Sequence, residues 1–130
     1  MVQFAWKPRT PIAPDRHYAV MASKLPLVSH RSIPGFMNDT LAIRRQLRSS
    51  SGLVGYALLA ELSQKTFWTF SAWDDEESLA AFARSRPHDQ IVQRLRPRMA
   101  ATVFTFGEAD GSHLPWAWDE VKRRLPKATG

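Results

Sequence analysis

Cysteine is absent from the 130-residue sequence. This absence excludes disulfide bridges, thiolate metal sites and thiol nucleophiles. A chain that needs no disulfide is compatible with a reducing compartment, and we expect a cytoplasmic protein.

Long hydrophobic runs are also missing. The longest run, over residues 53–62, is well short of the ~20 residues that a membrane-spanning helix requires. Near the N-terminus, Pro8, Pro11 and Pro14 stand where a signal peptide would have its apolar stretch. We therefore expect no membrane partner and predict that residues 1–15 form an extended N-terminal arm.

The usual motifs of hydrolases and metal enzymes are absent too. The histidines His17, His30, His88 and His113 are widely spaced and form no HxxxH or HExxH pair. No GxSxG elbow positions a serine nucleophile, and no glycine-rich loop is present to bind a phosphate. We therefore expect no metal site and no cofactor that these motifs would hold.

What the sequence does contain is typical of one globular domain. Hydrophobic residues make up 44% and charged residues 23%, which argues against disorder. The net charge is +6, but the arginines are scattered over several segments. Solvated helix faces explain such a distribution better than a groove for a polyanion, so we do not expect a nucleic-acid partner.

Hydrophobic periodicity and turn signals divide the chain into alternating strands and helices. Strands are predicted over 16–25, 53–62, 65–73 and 102–106, and helices over 33–48, from 74 onward, over 88–99 and over 116–125. The order βαββαβ predicts an α+β, ferredoxin-like domain over residues 16–107, with helices on one face of an antiparallel sheet. Residues 108–130 form a C-terminal extension with a short helix.

The strands predicted over 65–73 and 102–106 are apolar on both faces. In the strand over 65–73, Phe67 and Trp73 alternate with Trp68 and Phe70. A sheet with helices on one face only should have a polar solvent face. A second copy of the chain is the simplest cover for the other face, which predicts a homodimer through the sheet. The alternative is that the N-terminal arm or the tail helix folds across it.

One stretch of sequence resembles a known superfamily. Residues 67–73, the acidic residues 74–77, Phe82 and the Ser85-Arg86-Pro87-His88 segment are similar to the antibiotic biosynthesis monooxygenases. Members of that superfamily are dimeric α+β barrels made by two ferredoxin-like sheets. The tail, with Trp116 and Trp118, is similar to relatives that are only called monooxygenase-like or of unknown function.

The resemblance implies a pocket for a small hydrophobic or aromatic molecule. In cofactor-independent oxygenases of the superfamily, the deprotonated substrate itself reduces dioxygen, so the protein supplies a dry cavity and at most one base. We predict His88 as the catalytic base or hydrogen-bond donor and Arg96 as a group that orients an anionic substrate. The predicted pocket walls are Trp68, Trp73, Phe36, Met37 and Tyr56.

Other functions stay open at this point. The chain could be a non-catalytic ligand-binding or structural dimer, with His88 capping its helix and packing on Trp73. Haem-degrading members combine Asn, Trp and a haem-ligating His, which makes haem binding an alternative, although Asn38 on the first helix is the single asparagine. RNA-recognition modules share the βαββαβ order, but Thr66 and Trp68 replace the small residues of their motif.

Overall fold

The computed structural model describes residues 2–85, 88–100 and 102–125. The strands are β1 Val2–Pro8, β2 His17–Pro26, β3 Leu53–Glu61, β4 Thr66–Trp73 and β5 Val103–Asp110. The helices are α1 Ile33–Arg48, α2 Glu76–Arg84, α3 His88–Leu95 and α4 Trp118–Arg124. Arg86 and Pro87, part of the segment that carries the resemblance, lie outside the described residues, as do residues 126–130 of the predicted extension.

The strands form one antiparallel sheet in the order β1-β3-β4-β2-β5. Without β1, this is the ferredoxin-like order, so the predicted α+β fold with a short C-terminal helix is confirmed. The prediction of four strands was wrong, because part of the arm is a fifth edge strand. β1 pairs with β3, with Val2 opposite Ala60 and Lys7 opposite Tyr56.

The helices begin and end where the sequence provides the appropriate residues. Pro34 occupies the first turn of α1, where its missing N–H costs nothing. Asp75 caps α2 by accepting a hydrogen bond from the Ser78 N–H at 2.7 Å, and that bond lowers the pKa of Asp75. α3 ends at Leu95, earlier than predicted, because Pro97 lies in a 3-10 turn over Arg96–Arg98.

The helices cover one face of the sheet with two neighbouring apolar clusters. Trp73 is fully buried beneath α2, with its ring 5.2 Å from that of Phe82. Phe67, also fully buried, lies beneath α1, with its ring 4.1 Å from that of Phe36. Burial of each of these aromatic side chains stabilises the fold by roughly 2–3 kcal/mol.

The other face of the sheet is covered by the chain itself. Phe70 of β4 lies 5.9 Å from the ring of Trp6 and stacks on Trp116 at 5.0 Å. Val121 and Leu125, from the C-terminal segment, are buried in the same cluster. Of the two covers considered from the sequence, the structure therefore shows the arm and the tail helix. No second copy is needed on this face, and the homodimer stays a prediction.

Candidate functional site

Four of the predicted pocket residues pack in the core on the helix side of the sheet. The indole Nε1–H of Trp73 donates to the Ser71 hydroxyl at 2.9 Å. Tyr56 is buried in the same cluster, and its hydroxyl accepts from the Arg44 Nε–H at 3.4 Å. Phe36 and Met37 pack in the neighbouring cluster beneath α1. These side chains fill the space in which the sequence predicted a ligand.

Trp68 lies on the opposite face from Trp73, so the two indoles do not line one cavity. The Trp68 Nε1–H donates to the Glu61 carboxylate, which also accepts from the Lys122 ammonium at 3.1 Å. The ammonium groups of Lys24 and Lys122 lie 5.3 and 4.8 Å from the ring centroid. Trp68 therefore joins α4 to the sheet.

Arg96 stands apart from all the other predicted site residues. It is exposed in the 3-10 turn that follows α3. The Arg96 guanidinium is therefore at the surface, away from the packed aromatic side chains.

His88 lies half-buried at the junction of α1, α2 and α3. Its ring Nδ1 is 3.1 Å from the Ala83 carbonyl oxygen, and its ring centroid is 4.8 Å from that of Phe82. Its backbone N–H donates to the Gln46 side-chain oxygen at 3.1 Å. Because a carbonyl oxygen can only accept, Nδ1 carries the proton and Nε2 carries the lone pair. His88 packs on Phe82 rather than directly on Trp73.

Burial lowers the pKa of His88 below its ordinary value of 6.5, against the opposing effects of the Ala83 carbonyl and Asp89. As the pH falls below about 6.5, the unfolded chain takes up this proton before the native chain does. The free energy of unfolding should therefore fall, by up to about 1.4 kcal/mol per pH unit. Urea denaturation from pH 8 to 5 should show a shallower decline for His88→Gln, and identical slopes would contradict the prediction.

Two surface grooves flank helix α2. The first, of about 470 Å³, lies between the C-terminal end of α1 and α2. Its lining is mostly polar, with Gln46, Phe82 and five serines: Ser49, Ser50, Ser51, Ser78 and Ser85. His88 contacts both Gln46 and Phe82 but is not itself part of this lining.

The second groove, of about 460 Å³, lies between α2 and strands β2 and β5. We call it the α2–β5 groove. Its lining is mostly apolar and carries two charged residues, Glu76 and Arg84; the rest are Ala19, Val20, Leu79, Ala80, Ala83, Phe106 and Gly107. Small alanines leave the space open, and the carbonyl of Ala83 links this groove to His88.

None of the residues that line this groove was predicted as a site residue from the sequence, and Phe106 is the large apolar side chain among them that is exposed. Its side chain is 66% exposed, and that of Phe104 is 48% exposed. Both belong to β5, which is an edge strand of the sheet. The signal available in the sequence was their alternation with Val103 and Thr105, which places both rings on one face.

The described residues hold no group of three or more His, Asp or Glu side chains that could bind a metal ion. The haem-binding combination is also not assembled among them. Asn38 is exposed on α1, and Trp68 lies across the sheet from His88. In the same part of the chain, no helix is long and apolar enough to cross a membrane.

Comparison with known proteins identifies the fold through structure rather than sequence. No protein-family model matches the chain, and no curated protein sequence matches it. Three solved structures illustrate the likeness, and all are less than 25% identical to this chain.

The first is a structure named antibiotic biosynthesis monooxygenase, with a TM-score of 0.63 and 11% identity over 70% of this chain and 97% of that one. SnoaB from Streptomyces nogalater, a cofactor-independent oxygenase, has a TM-score of 0.56 and 12% identity, covering 71% of this chain and 90% of that one. A candidate monooxygenase from Fusobacterium nucleatum has a TM-score of 0.66 and 11% identity, covering 81% of this chain and 50% of that one.

These likenesses confirm, at the level of fold, the resemblance drawn from residues 67–88. The chain has the α+β fold of structures named antibiotic biosynthesis monooxygenases. It spans about half the length of the Fusobacterium protein.

Proposed function

We propose that this protein binds a small hydrophobic or aromatic molecule in the α2–β5 groove. The observation that carries the proposal is the groove itself, an apolar depression of about 460 Å³ with an exposed phenyl ring, Phe106, on one wall. Pockets for small molecules are mainly apolar and carry a few polar groups that orient the ligand. Glu76 and Arg84 supply such groups here.

The groove is a better candidate than the region predicted from the sequence. Trp73, Phe36 and Tyr56 are each at most 9% exposed, and their neighbours occupy the space around them. A ligand could enter that region only by displacing core side chains, which costs several kcal/mol. The α2–β5 groove is already open, so a ligand there displaces water and buries Phe106.

Ala83→Trp should weaken binding in the groove, because Ala83 is an exposed lining residue and an indole at this position fills the space. The probe is 1-naphthol, titrated calorimetrically into the purified protein. We expect Ala83→Trp to weaken binding by at least about tenfold, or 1.4 kcal/mol.

The matched control is Ala81→Trp, which places the same indole on the exposed side of α2 that faces the polar groove. This variant should bind 1-naphthol as the wild type does. Equal affinity of the wild type and Ala83→Trp, or loss of binding in both variants, would contradict the assignment to the α2–β5 groove.

We also propose a reaction that follows binding, in which dioxygen oxidises the bound aromatic molecule. It is supported by the fold shared with a cofactor-independent oxygenase and by the imidazole of His88, whose lowered pKa favours the neutral base near pH 7. His88 lies behind the groove, so the geometry supports binding more directly than catalysis. Oxygen uptake with a hydroquinone, measured for the wild type and His88→Gln, tests this step; no uptake by the wild type would leave a binding protein.

A further inference from the structure

Strand β5 presents an unpaired edge that is apolar in the middle. It is the last strand of the sheet order, so within residues 2–85, 88–100 and 102–125 no strand pairs with the outer side of its backbone. Over Val103–Asp110 there is no proline or lysine, and its two charges, Glu108 and Asp110, lie towards one end. An exposed strand of this kind is a template for pairing with another chain unless something protects it. Phe104 and Phe106 add a patch of exposed aromatic surface beside that edge.

The sequence of β5 fits a second copy of itself. In an antiparallel pair around a two-fold axis, directly opposite residues share a face, so only registers that pair odd with odd or even with even numbers are possible. A register centred on Thr105 places each Phe104 opposite the partner's Phe106. A centre on residue 106 would keep one pair, Phe106 with its own copy, and place each Phe104 opposite Glu108. A centre on residue 104 would likewise keep one pair, Phe104 with its own copy, and place each Phe106 opposite Thr102, so the centre on Thr105 is the register with two aromatic pairs. Aromatic pairs across strands are the favourable case.

The charged residues at the two ends of β5 are also complementary when two copies of the strand pair in the antiparallel direction. At one end of β5 lie Glu108 and Asp110, and before its other end lie Arg96 and Arg98, in the 3-10 turn. Antiparallel pairing brings the acidic end of one strand towards the basic end of the other. Parallel pairing would place like charges together, which is unfavourable.

We propose that two copies of this protein associate along β5, in an antiparallel pair centred on Thr105, to form a continuous ten-stranded sheet. The four phenyl rings of Phe104 and Phe106 then lie together on the helix side of this sheet. The interface differs from the sheet-to-sheet dimer expected from the sequence, whose face the chain covers itself. It runs beside the α2–β5 groove, since Phe106 borders both, but it requires no ligand.

Sedimentation equilibrium without ligand tests the association. We expect a wild-type dimer and a Phe106→Lys monomer, since the substituted side chain is 66% exposed and the change leaves the core intact. Val28→Lys is the matched control, because Val28 is 58% exposed in the loop before α1, and this variant should remain a dimer. A monomeric wild type, or a Phe106→Lys variant that remains a dimer, would overturn the proposal.

The absence of cysteine makes the register directly testable. Thr105→Cys introduces a single thiol that faces its own copy across the two-fold axis, where opposite Cα atoms are about 4.5–5.5 Å apart. Mild oxidation should produce a disulfide-linked dimer on a non-reducing gel, and Val28→Cys should not. Failure of Thr105→Cys to cross-link would overturn the register. The 1-naphthol titration of Ala83→Trp tests ligand binding in the α2–β5 groove, whereas sedimentation and cross-linking test the β5 interface. The binding proposal and the interface proposal can therefore fail independently.

Discussion

Val121→Asp should lower the free energy of unfolding by about 4 kcal/mol, since it removes a buried aliphatic side chain and buries an unpaired carboxylate. Val121 has no exposed surface and lies where α4 covers the sheet face that carries Phe70. Thermal and urea denaturation, followed by circular dichroism, give the value. If a second copy covered this face instead, Val121 would lie outside the core and the variant would be as stable as the wild type.

The control carries the same charge on the same helix. Ala117 is the residue at the N-cap of α4, where it is exposed and makes no side-chain cap. Ala117→Asp places a carboxylate where it can accept from the first backbone N–H groups, so it should stabilise the protein by about 1 kcal/mol. If the free energy of unfolding falls in Val121→Asp and rises in Ala117→Asp, then burial of the carboxylate, and not its charge alone, determines the effect. A loss of stability in both would contradict the position of α4.

The sequence predicted the elements whose signals are local. The spacing of Phe36 and Leu47, with Pro34 at the start and Gly52 beyond the end, determines α1, and the structure begins and ends it at the predicted residues. Gly52 has a φ of +80°, a conformation that side chains disfavour. The hairpin of β3 and β4 follows from aromatic and β-branched residues around a tight turn.

The position of the arm depends on contacts with residues distant in sequence. Its prolines therefore did not reveal that part of the arm forms a strand of the sheet. Pro8 lies at the end of β1 and Pro11 beyond it, so neither prevents pairing with β3. Gly55 makes the close approach of the arm possible, because a Cβ there would lie 2.1 Å from the indole of Trp6. Nothing in the local pattern of either segment indicates this match.

The location of the candidate site also depends on contacts that local sequence patterns do not reveal. Alternation along β4 places Trp68 and Trp73 on different faces, and this could be read from the sequence. Whether an aromatic side chain lines a cavity or fills it depends on what packs opposite, and Phe82 and Ser71 fill the space around Trp73. The open groove was found instead where the helix layer ends and Phe106 is left uncovered.

Gly111→Ala should lower the free energy of unfolding by about 3 kcal/mol, because a Cβ at this position would lie 1.9 Å from the carbonyl oxygen of Ala13. That neighbour is backbone and cannot rotate away. The Gly111 N–H also donates to the Arg16 carbonyl at 2.8 Å, and the Ser112 N–H donates to the Pro14 carbonyl of the arm at 3.2 Å, which fixes the C-terminal segment to the arm just before it crosses the sheet. Gly107→Ala is the control, since nothing lies within 4 Å of its added methyl group. Urea denaturation should separate the two variants; equal stability would mean that the arm and the tail are not joined at Gly111, and that α4 reaches the sheet by another path.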